Sequence, residues 1–72
     1  MNVDIDKIVD DVINYDNKNN KNWASVADEI IGKYIPVEQT KEANITLIKV
    51  ISNLTALGYD IVDMPFRLKK YK

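Results

Sequence analysis

The chain has 72 residues, of which 46% are hydrophobic and 29% are charged, with a net charge of −1 and neither cysteine nor histidine. This composition is typical of one small folded domain, because disordered chains contain fewer hydrophobic residues. The lack of cysteine and histidine excludes disulfides and argues against zinc, so we expect no metal and no cofactor. No apolar run approaches the roughly 18 residues that a membrane span needs, so we expect a cytoplasmic protein without membrane contact.

The charges are distributed unevenly along the chain. Residues 1–29 contain seven acidic residues and three lysines, whereas residues 64–72 contain four basic residues and no acidic one. The basic residues of the second segment are Arg67, Lys69, Lys70 and Lys72. This end is suited to an anionic partner, which the acidic end would repel.

Two amphipathic helices are predicted in the first half of the chain. Asp4 is a suitable N-cap for a helix over residues 4–15, and Asn22 is one for a helix over residues 23–33. Apolar residues recur at helical spacing in both, which predicts one buried stripe on each helix. The stripes consist of Ile5, Ile8, Val9, Val12 and Ile13, and of Trp23, Val26, Ala27, Ile30, Ile31 and Tyr34. The asparagine-rich segment between the helices favours a loop.

A third, longer helix is predicted over residues 37–57. Gly32 is expected to end the preceding helix in a left-handed cap, and Pro36 suits the first turn of the new one. Five apolar residues follow at alternating spacings of four and three, the pattern of a seam between packed helices. They are Ala43, Leu47, Val50, Leu54 and Leu57.

Further apolar residues extend this helix beyond the seam, namely Ile45, Ile48 and Ile51. A helix this broadly apolar must be covered on more than one side, either by both earlier helices or by a second copy of itself. We therefore hypothesise a homodimer. In it the seams of the two long helices meet, or the long helices lie against hairpins that the two subunits exchange.

Two short extended segments are predicted after Gly58, over residues 59–63 and 66–71. Pro65 favours a turn between them, and side-chain alternation places the basic residues on a half-exposed second strand. A β-hairpin packed on the helices is predicted, with a disordered basic tail after Leu68 as the alternative. The predicted fold class is therefore mainly α, a three-helix domain with a short C-terminal β-hairpin.

The order of these elements resembles the small winged helix-turn-helix proteins. The matching segments are WASVADEIIGK as the positioning helix, ITLIKVISNLTALGYDIV as the recognition helix with the first wing strand, and MPFRLKKYK as the second strand. The run ISNLTALGYDIV is also similar to the last helix of phage-type Cro and repressor proteins. The resemblance covers about residues 23–72 and implies a DNA-binding transcriptional regulator encoded by a phage or mobile element.

The resemblance also implies roles for polar residues. Base edges would be approached from the third helix by Thr46, Lys49 and Asn53. Phosphate groups would be held from the second wing strand by Arg67, Lys69 and Lys70.

A second function stays open because the third helix carries few cations and the sequence pI of about 5.2 is low for a nucleic-acid-binding domain. This alternative is a small protein-binding regulator or inhibitor of a host or phage protein, without nucleic-acid contact. Neither function is enzymatic. No activated nucleophile or tuned acid–base pair is indicated, so we expect no catalytic residue.

Overall fold

A computed structural model describes residues 3–71 and contains three helices followed by a two-stranded antiparallel sheet. The elements are α1 (Ile5–Ile13), α2 (Trp23–Ile31), α3 (Thr40–Ala56), β1 (Tyr59–Val62) and β2 (Arg67–Lys70). The predicted class, a mainly α three-helix domain with a C-terminal hairpin, is confirmed. Lys72 of the predicted basic segment lies outside the described residues. Between residues 3 and 71, no helix has the length and apolar character to cross a membrane.

Local sequence signals set the starts of the first two helices. The Asp4 carboxylate accepts a hydrogen bond from the Lys7 amide at 3.3 Å, and the Asn22 side chain accepts one from the Ser25 amide at 2.9 Å. Each bond satisfies an amide of the first turn that has no partner within its helix. Both predicted N-caps are confirmed.

A left-handed cap follows α3 and not α2. Gly32, after α2, has a φ of −59°, so the predicted left-handed cap there is wrong. The chain instead continues in a right-handed turn, in which the amides of Lys33 and Tyr34 bond to carbonyls three residues earlier. Gly58, after α3, has a φ of 91°, a left-handed conformation that costs other residues about 1–2 kcal/mol. Gly58 therefore ends α3 and directs the chain into β1.

The third helix begins later than predicted, at Thr40. The Pro36 carbonyl accepts a hydrogen bond from the Gln39 amide at 2.9 Å, so residues 36–39 form a separate turn. Pro36 therefore lies before the helix and not in its first turn. Gln39 occupies the N-cap position, where its side chain makes no capping bond.

One face of each helix and the hairpin enclose the hydrophobic core. The buried apolar residues are Ile8, Val9, Val12, Val26, Ala27, Ile30, Ile31, Ile35, Val50, Leu54 and Phe66. Those of α1 and α2 all belong to the stripes predicted for these helices. Trp23 is half-buried at the edge of this core, with its ring centre 5.0 Å from that of Phe66.

The asparagine-rich loop between α1 and α2 is hydrogen-bonded to the turn of the hairpin. Asn17 Nδ2 donates to the carbonyl oxygens of Lys21 and Phe66 at 2.9 and 3.1 Å, and Asn17 Oδ1 accepts from the Lys21 amide at 2.9 Å. The Phe66 amide also donates to the Lys21 carbonyl, and the Trp23 amide to the Asp63 carbonyl, both at 2.8 Å. These bonds fix the hairpin on the helices in addition to its apolar packing.

Candidate interaction surface

The predicted seam of α3 packs inside its own chain. Val50 and Leu54 are 1% and 0% exposed, and Ala43 and Leu47 are half-buried against the same core. This side of α3 faces α1, α2 and β1. Among the five seam residues only Leu57 is exposed, at 54%. The prediction that this seam packs against a second subunit is therefore wrong. Its apolar residues recur at the spacing of a helix seam because they pack against helices of the same chain.

The base-contacting residues predicted on α3 differ in accessibility. Thr46 is only 3% exposed, so its predicted contact with a base edge is wrong. It precedes Val50 by four residues and shares the core-facing side of the helix. Lys49 and Asn53 are exposed. The Asn53 amide group donates to the Lys49 carbonyl at 2.9 Å, so this side chain is folded back along its own helix.

The cations predicted to hold phosphate lie on two faces of the hairpin. Side chains alternate along a strand, so Arg67 and Lys69 share the outer face while Lys70 points to the other. The register sets Lys69 opposite Asp60, which reduces the positive charge of the outer face. The Lys70 amine lies 5.8 Å from the centre of the Tyr59 ring, within the range of a cation–π contact. The hairpin therefore presents two of the three cations together.

The outer side of α3 carries an uncovered row of isoleucines, which we call the isoleucine face. Ile45, Ile48 and Ile51 are 40%, 65% and 36% exposed. They occur at every third position and so follow one side of the helix. The sequence pattern marked them as extra apolar surface that needs cover. Within the described part of the chain, the other elements pack on the opposite side of α3 and leave this side open to solvent.

Two tyrosines link α1 to α2 through acidic side chains. The Tyr15 hydroxyl donates to Glu29, and the Tyr34 hydroxyl donates to Asp11. Bonding to a carboxylate raises the pKa of both tyrosines. The same bond from Tyr15 lowers the pKa of Glu29, because it stabilises the charged carboxylate, and Lys21 at 3.4 Å adds to this effect. The two hydrogen bonds therefore tie a tyrosine that follows each helix to a side chain of the other helix.

No cluster of three acidic side chains suited to a metal ion occurs in residues 3–71. Comparisons with protein-family models, with characterised proteins and with solved structures find no match for this chain.

Proposed function

We propose that the protein is a small protein-binding regulator whose isoleucine face packs against an amphipathic helix of its partner. The observation that carries this proposal is the exposure of three isoleucines on a helix whose opposite side already forms the core. An exposed apolar row with polar neighbours is typical of a surface that recognises a helix. Covering this row with apolar side chains gains roughly 25 cal/mol for each Å² removed from water.

The charges around α3 also support a protein partner. DNA binding depends on several cations that neutralise phosphate groups. On α3 the exposed cations Lys41 and Lys49 are accompanied by the exposed Glu42. The net charge of the whole chain is −1. A partner that contributes an apolar surface fits this helix better than one that contributes phosphate.

DNA binding by the hairpin is the second candidate function. It is favoured by the outward position of Arg67 and Lys69, which lie on one face of an exposed strand. In that case the protein would be the transcriptional regulator that the winged-helix resemblance implies. Lys49 and Asn53 would then lie towards the duplex, and the isoleucine face would remain outside the nucleic-acid contact.

A pull-down from source cells that are chemically cross-linked before lysis, with and without nuclease, tests the proposal, because cross-linking retains weak complexes as well as tight ones. We expect a protein partner that is retained after nuclease treatment and lost with Ile48→Asp. Val37→Asp is the matched control, because Val37 is 92% exposed outside α3 and the substitution makes the same change in charge. This control is expected to retain the partner.

Gel retardation of duplex DNA at low salt is the complementary measurement. We expect no retardation. A shift that is abolished by joint Arg67→Glu and Lys69→Glu substitution and unaffected by Ile48→Asp would overturn the proposal in favour of the second candidate.

A further inference from the structure

We infer that the partner helix is α3 of a second copy, so that two isoleucine faces pack together in antiparallel orientation. This inference rests on the proposed function in taking the isoleucine face as an interface, and it names the occupant of that face. The surface differs from the seam of α3, in which every residue except Leu57 packs against the core of its own chain.

The residues around Ile48 are arranged symmetrically along α3. Positions three, four and seven residues away in either direction lie on the same side of a helix as the central residue. Three positions away are Ile45 and Ile51, four positions away are Asn44 and Ser52, and seven positions away are Lys41 and Thr55. All seven side chains are exposed. At three and four positions the two directions therefore carry residues of similar character, first apolar and then uncharged polar, whereas at seven positions Lys41 is charged and Thr55 is not.

A two-fold axis at the level of Ile48 brings similar residues together. The two Ile48 side chains meet at the centre. On either side of this centre, at the same height along the two helices, Ile45 and Asn44 of one protomer lie beside Ile51 and Ser52 of its partner. We call each such height a level. Each of these levels contains two isoleucines beside two uncharged polar side chains. Such self-complementarity is the requirement for a closed two-fold dimer.

Charge favours the antiparallel orientation over the parallel one. A parallel pair in register would place the two Lys41 amines side by side. In the antiparallel pair the two Lys41 levels are fourteen residues of helix apart, which is about 21 Å, and the helix dipoles oppose each other. Each Lys41 then lies level with Thr55 of the other protomer, where the Tyr71 hydroxyl bonds to the Thr55 carbonyl at 3.0 Å.

The size of the surface limits the strength of this dimer. With 17 residues, α3 is about 25 Å long and about 10 Å wide. The contact therefore covers a few hundred Å² on each protomer, less than the roughly 800 Å² of a standard interface. We expect a weak, reversible dimer with a dissociation constant on the order of 100 μM.

Analytical ultracentrifugation over a concentration series tests self-association with the whole chain. The wild type is expected to shift from monomer to dimer between about 10 μM and 1 mM, given this affinity. Ile48→Asp is expected to remain a monomer, and Val37→Asp to dimerise as the wild type does. Circular dichroism spectra of both variants serve as the control for correct folding. A wild type that remains monomeric at about 1 mM, or equal association of both variants, would overturn the inference.

Disulfide cross-linking tests the orientation, because the chain contains no cysteine of its own. The variants Lys41→Cys and Thr55→Cys, one of them carrying a tag, are oxidised separately and as a mixture. The antiparallel dimer predicts a cross-linked product that contains one copy of each variant. Cross-linking of each variant only with itself would refute the antiparallel arrangement.

Failure of this inference can be told apart from failure of the proposed function. A monomeric protein that still captures a nuclease-resistant partner through Ile48 would refute the homodimer and leave the proposed function intact. DNA binding that is lost on joint Arg67→Glu and Lys69→Glu substitution and insensitive to Ile48→Asp would refute the proposed function, whereas the homodimer is decided by ultracentrifugation alone.

Discussion

Asn17→Asp separates the hydrogen bonds of the loop from the packing of the hairpin, because aspartate has nearly the same shape as asparagine. The substitution keeps an oxygen that accepts from the Lys21 amide. It replaces Nδ2, which donates to the carbonyl oxygens of Lys21 and Phe66 at 2.9 and 3.1 Å, by a second oxygen. Two bonds are lost, and oxygen atoms that repel each other are brought together.

The magnitude follows from the number and burial of these bonds. A hydrogen bond contributes a net 0.5–1.5 kcal/mol on average, and an acceptor left unpaired away from water costs about 1–3 kcal/mol. Asn17 is half-buried, so we expect the free energy of unfolding to fall by about 2 kcal/mol. A domain of this size has a net stability of roughly 3–5 kcal/mol. The melting temperature is therefore expected to fall by about 8–16 °C.

Urea unfolding followed by fluorescence is a suitable assay, since the single tryptophan, Trp23, packs against Phe66 beside the loop. Asn19→Asp is the matched control, because Asn19 is exposed in the same loop and acquires the same charge. We expect its stability to stay within about 0.5 kcal/mol of the wild type. An unchanged unfolding midpoint for Asn17→Asp would refute the reasoning, and equal losses in both variants would assign the effect to charge alone.

Two further predictions concern the seam and the tyrosine links. Leu54→Ala is expected to lower the free energy of unfolding by about 2–5 kcal/mol because it empties a fully buried site, whereas Leu57→Ala is expected to cost less than about 0.5 kcal/mol. Urea unfolding measures both, and equal losses would contradict the burial of the seam. Tyr15→Phe is expected to raise the pKa of Glu29 towards its ordinary value, which an NMR titration of the carboxyl carbon detects. Since folding lowers this pKa, the stabilisation is present above the unfolded pKa and is lost as the pH falls through the folded pKa. The stabilities of Tyr15→Phe and the wild type should therefore converge in acid, and an unchanged Glu29 pKa would contradict the link.

The starts and apolar stripes of the first two helices were predictable because their signals are local. Asp4 and Asn22 each accept a hydrogen bond from an amide three residues later, and apolar periodicity requires only the helix itself. The ends were harder to predict. Gly32 and Gly58 both follow a helix, yet only Gly58 adopts a positive φ. The chain after Gly32 continues in a right-handed turn, which is held by the hydrogen bonds of the Lys33 and Tyr34 amides.

Contacts distant in sequence could not be predicted from periodicity. Asn17 and Phe66 are 49 positions apart, and no pattern in the sequence pairs them.

Thr46 was placed with the polar residues of α3 by its chemistry, although its position four residues before Val50 puts it on the buried side. The resemblance grouped Lys70 with Arg67 and Lys69, whereas strand alternation separates it from them.

The two apolar sides of α3 show why a surface for a partner can be predicted from the sequence and still be assigned to the wrong residues of the helix. Both the row containing Val50 and the row containing Ile48 have helical spacing, so periodicity alone does not decide which row the remaining elements cover. The fold covers the Val50 row with α1, α2 and β1 and leaves the Ile48 row exposed. Because these rows lie on opposite sides of one helix, a polar substitution at Ile48 changes the exposed surface without opening the core. Effects of such a substitution on binding therefore report on association and not on folding.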